Sequence, residues 1–310
     1  MAPNSSSITF FGYWSGQLPP VAQLHFRSFL AHHPESTYEL WLDEDTGSAI
    51  DAPELQWLKS HPRIRIRPFS LNALVAQHVD PRPAFGRQRW DWLRRLGYKV
   101  HRKIGPSWSR RKAWDHAQFG LTYMHSSMLF LGFERDLTYR GDMARFLVPL
   151  CHYPHASLYC DLDICFMSDL TQICESSGFV YRWENFGFAN NAIVYMPSAS
   201  WSAALARKAN AIETFRPWIL LSDDHCAELG LTIHPAPRFD PLWDPTSLLY
   251  GDTAKFFGPR DNLALDMHAL STERHLAIHW HNNWKTVPAP NSIYSGVLKA
   301  CEGSGEGVRA

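Results

Sequence analysis

The chain has 310 residues, of which 30 are lysine or arginine, 30 are aspartate or glutamate and 45% are hydrophobic. This composition excludes disordered, collagen-like and coiled-coil proteins, and the length suits one large α/β domain or two smaller ones. A net charge of zero argues against nucleic acid as a partner, because phosphate binding usually requires a basic domain.

The cysteines and the N-terminal residues indicate in which cellular compartment the protein is expected. The six cysteines form no CxxC pair, so we expect free thiols. The opening MAPNSSSITFFGYW lacks the basic n-region of a secretory signal, and no apolar run approaches the roughly 18 residues of a membrane-spanning helix. We therefore expect a cytoplasmic location.

The first elements alternate between strand and helix. The aromatic run at 7–14 predicts a strand, apolar spacing over 21–31 predicts a helix, and 38–42 and 63–67 predict two more strands. Strands separated by helices require crossover connections. The sequence therefore predicts an α/β, Rossmann-like fold with a mainly parallel sheet flanked by helices.

A basic segment interrupts this alternation. Residues 82–112 contain eleven lysines and arginines, one acidic residue and three tryptophans. One interpretation is a solvated insertion, as charge runs usually are. The other is a surface for an anionic acceptor or for membrane headgroups, which tryptophan and arginine both favour.

The second half continues the strand and helix pattern. It is predicted to contain a helix at 141–151, a strand at 156–164, strands at 179–183 and 191–196, a helix at 199–215, a loop-rich stretch at 217–275 and a short strand at 275–280.

Two carboxylates end the strand at 156–164. In an extended chain, Asp161 and Asp163 would point to the same face. Two like charges so placed require a cation, and carboxylate oxygens suit Mg²⁺ or Mn²⁺. The carboxyl end of a buried strand is also where α/β sheets bind ligands, although Asp-x-Asp alone often only caps a turn.

Two further pairs could carry chemistry. Asp142 and Arg145 share a face of the helix at 141–151, and the simpler interpretation is an ordinary i,i+3 ion pair. If Arg145 instead faces a bound ligand, we expect Arg145→Ala to impair use of that ligand with little effect on stability. His279 and His281 would share a face of the last strand and could bind a metal or a phosphate.

The order of the motifs GDMARF, LYCDLDICFMSDL, NNAIVYMPS and AIHWHNNW resembles that of the DXD-type glycosyltransferases of the GT-A fold. The resemblance is closest to the group with the initiating α-mannosyltransferases and the α-galactosyltransferases, and more distant to the clostridial glucosylating toxins. It departs from that group at Gly141 and Phe146, where serine and tyrosine are usual. It implies a single catalytic domain over residues 1–290, with a basic helical insertion at 82–125 and a C-terminal tail at 291–310.

The resemblance also implies a role for each matching residue. Asp142 and Arg145 would act in catalysis and hold the transferred sugar, and Asp161 and Asp163 would lie at the metal. The remaining implied donor contacts are Tyr13, Trp14, Asn190 and Trp284, and either His279 or His281 would complete the metal or diphosphate shell.

The implied activity is metal-dependent, retaining transfer of a hexose from a nucleotide sugar, with a UDP-sugar favoured and Mn²⁺ or Mg²⁺ as cofactor. The acceptor would be a saccharide, a lipid-linked saccharide or a protein, and 82–112 could contact a membrane peripherally. The alternatives are a Mg²⁺-dependent aspartate-based phosphohydrolase and a non-catalytic carbohydrate-binding protein.

The sequence LSDDHC offers one more catalytic residue. Asp224, with Asp223, could orient the acceptor hydroxyl. An equally good interpretation is a helix start, with Ser222 as the N-cap and the two acids in the first turn.

Overall fold

The computed structural model of the chain describes residues 8–79, 137–183, 186–212 and 214–305. The predicted insertion at 82–125, with the basic segment 82–112, lies outside the described residues. Within those residues, no helix combines the length and the apolar character that crossing a membrane would require.

A seven-stranded sheet organises the described residues, in the order β3-β2-β1-β4-β7-β6-β8. Its strands are β1 (Thr9–Trp14), β2 (Tyr38–Asp43), β3 (Ile64–Phe69), β4 (Ser157–Cys160), β6 (Phe179–Arg182), β7 (Ala189–Met196) and β8 (Thr232–His234). Only β7 runs against its neighbours, and the other strands of this sheet share one direction. The prediction of a mainly parallel sheet flanked by helices is confirmed.

The predicted strand at 156–164 is wrong in one respect. The chain leaves the main sheet after β4, turns through 161–163, and enters β5 (Ile164–Phe166), which pairs antiparallel with β9 (Ala277–His279) in a separate two-stranded sheet. The amide of Ile164 donates to the Asp161 carbonyl across 3.2 Å, which closes the turn. The Asp-x-Asp segment is therefore a turn between two sheets, and the extended geometry assumed for it does not occur.

Nine α-helices accompany the strands in the described residues. They are α1 (Gln23–His32), α2 (Leu71–His78), α3 (Leu137–His152), α4 (Ala199–Ala211), α5 (Pro217–Leu220), α6 (Asp223–Leu229), α7 (Ala254–Phe257), α8 (Leu263–Thr272) and α9 (Ile293–Gly305). The stretch 217–275, predicted as loop-rich, holds four of these helices and β8. The predicted tail at 291–310 includes α9, whose Tyr294 hydroxyl donates to the Val21 carbonyl across 2.9 Å.

Alternating side chains of the central strands bury both faces of the sheet. Phe10 of β1 packs in a cluster with Phe29 of α1, whereas its neighbour Phe11 packs in a second cluster with Met143 of α3. A third cluster surrounds Trp280, between α1, α7 and α9. Helices therefore cover both faces of the sheet, so a functional site would lie along an edge of the sheet.

A buried histidine should make the fold sensitive to acid. His25 of α1 is fully buried, and burial lowers its pKa to about 3. The unfolded chain, with a histidine pKa of about 6.5, then binds more protons, so stability falls as the pH drops from 6.5 towards 3. At pH 5 this linkage costs about 2 kcal/mol. In urea unfolding, the free energy of unfolding of His25→Leu should therefore differ between pH 7 and pH 5 by about 2 kcal/mol less than that of the unmodified protein.

The exposed His268 of α8 provides the matched control. His268→Leu should keep the pH dependence of the unmodified protein. If His25→Leu keeps it too, His25 is not the group that titrates.

Candidate active site

The carboxyl ends of the parallel strands meet along one edge of the sheet. The chain runs outward from β1 to β3 and then returns to place β4 on the other side of β1, so the strand order reverses between β1 and β4. Open α/β sheets bind ligands at such a point. Tyr13 and Trp14 end β1, and Asp161 follows β4, so three of the predicted site residues lie there.

Arg145 lies at the centre of the polar residues behind this edge. Its Nη2 is 3.3 Å from Asp161 Oδ1 and 3.7 Å from Asp142 Oδ1. Its Nε donates to the Gly141 carbonyl across 3.0 Å, and its Nη1 donates to the Asn191 carbonyl across 2.7 Å. The guanidinium is thus fixed by backbone carbonyls with one nitrogen facing both carboxylates. The predicted i,i+3 pair with Asp142 is present, but it is buried and not an ordinary exposed pair, because Arg145 is only 5% exposed.

Asp142 is held from two further sides. Asn191 Nδ2 donates to its Oδ1 across 2.9 Å, and Arg216 Nη1 donates to its Oδ2 across 3.0 Å. Burial raises the pKa of Asp142, although both arginines oppose that shift. The sequence prediction missed Asn191 and Arg216. The pair Asn190-Asn191 was the available signal, but strand alternation alone does not say which of the two faces α3.

Asp161 accepts a hydrogen bond from the Tyr159 hydroxyl across 2.5 Å. Burial raises the pKa of this carboxyl to about 6, and the charge of Asp163 adds to the rise while Arg145 opposes it. Asp161 therefore lies between a cation on one side and the acidic group of Asp163 on the other.

Asp163 faces the last strand instead of Arg145. Its Oδ2 is 3.3 Å from His279 Nε2 and accepts the amide of Asn282 across 2.7 Å. Burial alone would raise the pKa of Asp163, but His279 and this amide outweigh burial and hold it at about 2. Burial likewise lowers the pKa of His279, yet the carboxylates of Asp163 and Asp240 raise it to about 9.

Asp240 is the largest omission of the sequence prediction. It is fully buried, and its Oδ2 lies 2.6 Å from His281 Nε2 and 3.8 Å from His279 Nδ1. These three residues offer ligand atoms within 4.8 Å of one another, which makes them a possible metal site among the described residues. Asp240 precedes a proline in the sequence, as an ordinary turn residue would. In the structure its Oδ1 also accepts the amide of Leu242 across 3.3 Å.

Three atoms of this cluster fit a cation. Asp163 Oδ1 is buried and has no hydrogen-bond partner among the described residues, and the buried atoms Asp240 Oδ2 and His281 Nε2 have only their 2.6 Å contact with each other. Buried polar atoms without partners are costly, and a bound cation would satisfy them. Carboxylate and imidazole donors together suit a divalent metal ion.

The two histidines come together through a turn. The prediction that one strand carries both is wrong, because β9 ends at His279 and the chain then turns with positive φ angles of 52° at His281 and 58° at Asn282. Residues other than glycine rarely adopt this conformation, and such positions are concentrated at functional sites. The turn brings the two imidazole rings to 4.0 Å.

A second buried network anchors the end of β1. The Tyr13 hydroxyl donates to Asp43 Oδ2 across 2.6 Å, and Arg140 Nε donates to the same oxygen across 2.7 Å. Arg140 also donates to Asp45 Oδ2 and to Asn72 Oδ1, each across 3.0 Å. This network ties β1 and β2 to α2 and α3, and the sequence prediction missed Arg140.

The remaining predicted residues are spread along the same edge. The rings of Trp14 and Trp284 lie 4.7 Å apart, edge to face, and Trp284 Nε1 donates to Asn282 Oδ1 across 3.0 Å. Asn190 is buried, and its side chain accepts the amide of Ala192, two residues on in its own strand, across 2.8 Å.

Asp224 lies in the first turn of α6, where it is exposed. The Ser222 hydroxyl accepts the amide of His225 across 3.4 Å, as an N-cap does. The helix-start interpretation of LSDDHC is therefore confirmed for Ser222, and the role of Asp224 towards an acceptor stays a prediction.

Comparison with known proteins gives only distant likenesses. The sequence matches no protein-family model and none of the curated proteins. The galactosyltransferase LgtC, solved with donor and acceptor sugar analogues, is 12% identical, with 94% of this chain and 96% of that chain covered and a TM-score of 0.43.

Two other similar structures are equally remote. The apo-form glycosyltransferase GlyE of Streptococcus pneumoniae TIGR4 is 10% identical over 96% of this chain and 64% of that chain, with a TM-score of 0.44. Mouse xyloside xylosyltransferase 1 is 10% identical over 91% of this chain and 99% of that chain, with a TM-score of 0.38. At these identities and scores the likeness assigns no activity to this chain.

Proposed function

We propose that the chain is a retaining glycosyltransferase that moves a hexose from a nucleotide sugar to an acceptor. The proposal rests on one observation: two sets of largely buried side chains lie next to each other where the strand order reverses. One is the Asp142–Arg145–Asp161 network, and the other is the cluster of Asp163, Asp240, His279 and His281, which adjoins it through the neighbouring acids of the Asp-x-Asp turn.

The second group is the proposed cation site. Asp163, Asp240 and His281 would hold a divalent cation through Asp163 Oδ1, Asp240 Oδ2 and His281 Nε2, with His279 beside them. When bound, Mn²⁺ or Mg²⁺ supplies a Lewis acid that stabilises negative charge on a departing nucleoside diphosphate. The imidazole donors favour Mn²⁺ over Mg²⁺.

The first group would position the sugar. Each carboxylate oxygen of Asp142 already accepts one hydrogen bond and has capacity for a second, so it can accept a sugar hydroxyl. Arg145 already contacts two carbonyls and two carboxylates. We therefore assign Arg145 the task of holding Asp142 and Asp161 ionised and correctly oriented, rather than that of binding phosphate directly.

Aromatic residues at the same edge would bind the nucleoside. Trp14 and Trp284 present rings that suit stacking on a base or a ribose, and Asp43 fixes the hydroxyl of Tyr13, the residue before Trp14 in β1. Asn190 would reach the donor sugar from the start of β7.

Removal of the metal should abolish turnover. We expect release of a nucleoside diphosphate from UDP-glucose, UDP-galactose or GDP-mannose in the presence of Mn²⁺ and its loss after chelation with EDTA, followed by recovery when Mn²⁺ is restored. Binding of a nucleotide sugar should also raise the melting temperature, because a ligand stabilises the native state by mass action.

The products released from nucleotide sugars and from p-nitrophenyl phosphate separate the alternatives. A phosphohydrolase would release inorganic phosphate from p-nitrophenyl phosphate and leave nucleotide sugars intact. A protein that binds carbohydrate without transferring it would release no nucleoside diphosphate from any donor. Either result would overturn the proposal.

A further inference from the structure

A pocket lies beside the proposed cation site, at the carboxyl ends of β6 and β8. Its volume is about 460 Å³, within the range of about 300–1,000 Å³ that is typical of small-ligand sites. Four of its lining side chains are aromatic or polar, namely Arg182, His234, Trp243 and Tyr250, and the other four are small or aliphatic, namely Ile233, Pro235, Ala236 and Pro237.

The pocket and the cation site share a wall. The ring of Trp243, which lines the pocket, is 6.0 Å from the His281 ring. Trp183, the residue that follows Arg182, also lies beside His281, with the rings 6.1 Å apart. A molecule in the pocket would therefore lie next to a diphosphate bound at the cation site.

The polar groups of the pocket are held in place. Arg182, at the end of β6, pairs with Asp223 and donates to the Phe186 carbonyl across 3.1 Å. His234, at the end of β8, lies with its Nδ1 3.4 Å from Arg238 Nη1. Because Asp223 balances the charge of Arg182, Arg182 offers hydrogen bonds without giving the pocket a strong preference for an anion.

The aromatic lining points to a particular class of ligand. Tyr250 is 48% exposed, and Trp243 is partly exposed. Partly exposed rings provide an apolar face and a polar tip, which match the C–H face and the hydroxyl groups of a sugar ring. A lipid chain would require a continuous apolar lining, which the charged and polar side chains of Arg182 and His234 interrupt.

We infer that this pocket binds the acceptor and that the acceptor is a neutral saccharide. This inference rests on the proposed function, since it places the acceptor beside the donor diphosphate. The sugar ring stacks on Trp243 and Tyr250, and Arg182, held by Asp223, and His234 bond its hydroxyl groups.

Saturation-transfer NMR tests the inference on the full chain. The probes are the methyl glycosides of glucose, galactose, mannose and N-acetylglucosamine, with and without UDP and Mn²⁺. We expect transfer to the ring protons of at least one glycoside. Tyr250→Ala should weaken that binding about five-fold, as expected for the loss of one stacking contact, and combined replacement of Trp243 and Tyr250 by alanine should abolish it.

Leu265→Ala provides the control, because Leu265 is a large exposed apolar side chain on α8, outside the pocket lining. It should bind the glycoside as the unmodified protein does. Octyl glycosides of the same sugars distinguish the source of the acceptor: tighter binding with ring contacts retained indicates a lipid-linked saccharide, and equal binding indicates a free one.

The outcomes separate this inference from the proposed function. If nucleoside diphosphate is released from the donor but none of the glycosides binds, or if Tyr250→Ala binds the glycoside unchanged, the acceptor inference is wrong. If a glycoside binds and Tyr250→Ala weakens it, but no donor is turned over, the pocket is a saccharide site and the transferase proposal fails.

Discussion

Asp163→Asn is expected to reduce Mn²⁺ affinity at least about 100-fold and to remove Mn²⁺-dependent release of nucleoside diphosphate. Loss of an outer-shell partner of a bound metal typically costs about 10–100-fold, and Asp163 is proposed as a direct ligand. The substitution removes a negative charge that is 2% exposed but keeps the shape of the side chain. The amide oxygen can still accept the Asn282 amide, which Asp163 accepts across 2.7 Å, so the turn at His281 should persist.

The measurement is a Mn²⁺ titration followed by electron paramagnetic resonance, which reports free Mn²⁺ without requiring turnover. Asp169→Asn is the matched control, because Asp169 is also an aspartate that caps a turn, with its Oδ1 accepting the Thr171 amide across 2.9 Å. It should bind Mn²⁺ as the unmodified protein does. Equal affinity in Asp163→Asn and the unmodified protein would remove Asp163 from the cation site.

The main strands were predictable because local pattern and tertiary setting agree. Runs such as 38–42 combine aromatic residues and leucines with turn residues on either side, and the observed β2 (Tyr38–Asp43) differs by a single residue at its end. The segment 217–275 was not predictable in the same way. Its elements are short, as α5 (Pro217–Leu220) and β8 (Thr232–His234) illustrate, and packing rather than periodicity stabilises them.

The site was predictable as a set of residue types but not as a geometry. The sequence pointed to Asp161 and Asp163, yet the turn directs one carboxylate to Arg145 and the other to His279. Asp240 carries no sequence signal, because its neighbours are brought to it by β9, more than thirty residues later in the chain. Long-range contacts of this kind depend on topology, which local patterns do not encode.

The burial of Arg145 changes the expected effect of its removal. As a surface pair with Asp142 it would contribute only a few tenths of a kcal/mol. In the structure, Arg145 is a buried cation shared by Asp142, which keeps Arg216 across 3.0 Å, and by Asp161, whose side chain is 25% exposed. Breaking a buried pair typically costs about 3–5 kcal/mol, and we expect the lower end of that range for Arg145→Ala. That is a large part of the roughly 5–15 kcal/mol by which domains are stable, so we expect a lower urea midpoint or a failure to fold.

A second substitution distinguishes the loss of charge compensation from general damage to the fold, because it should restore stability and not lower it further. Asp161→Asn in the Arg145→Ala background removes the negative charge that has lost its ion pair, whereas Asp142 keeps Arg216, so the double variant should be more stable than Arg145→Ala alone. Arg260→Ala is the control: Arg260 pairs with Asp266 across 2.6 Å, but both side chains are partly exposed, at 25% and 20%, and its removal should cost about 1 kcal/mol or less. If Asp161→Asn lowers the stability of Arg145→Ala further, the stabilising role of Arg145 lies in packing and not in the compensation of buried charge.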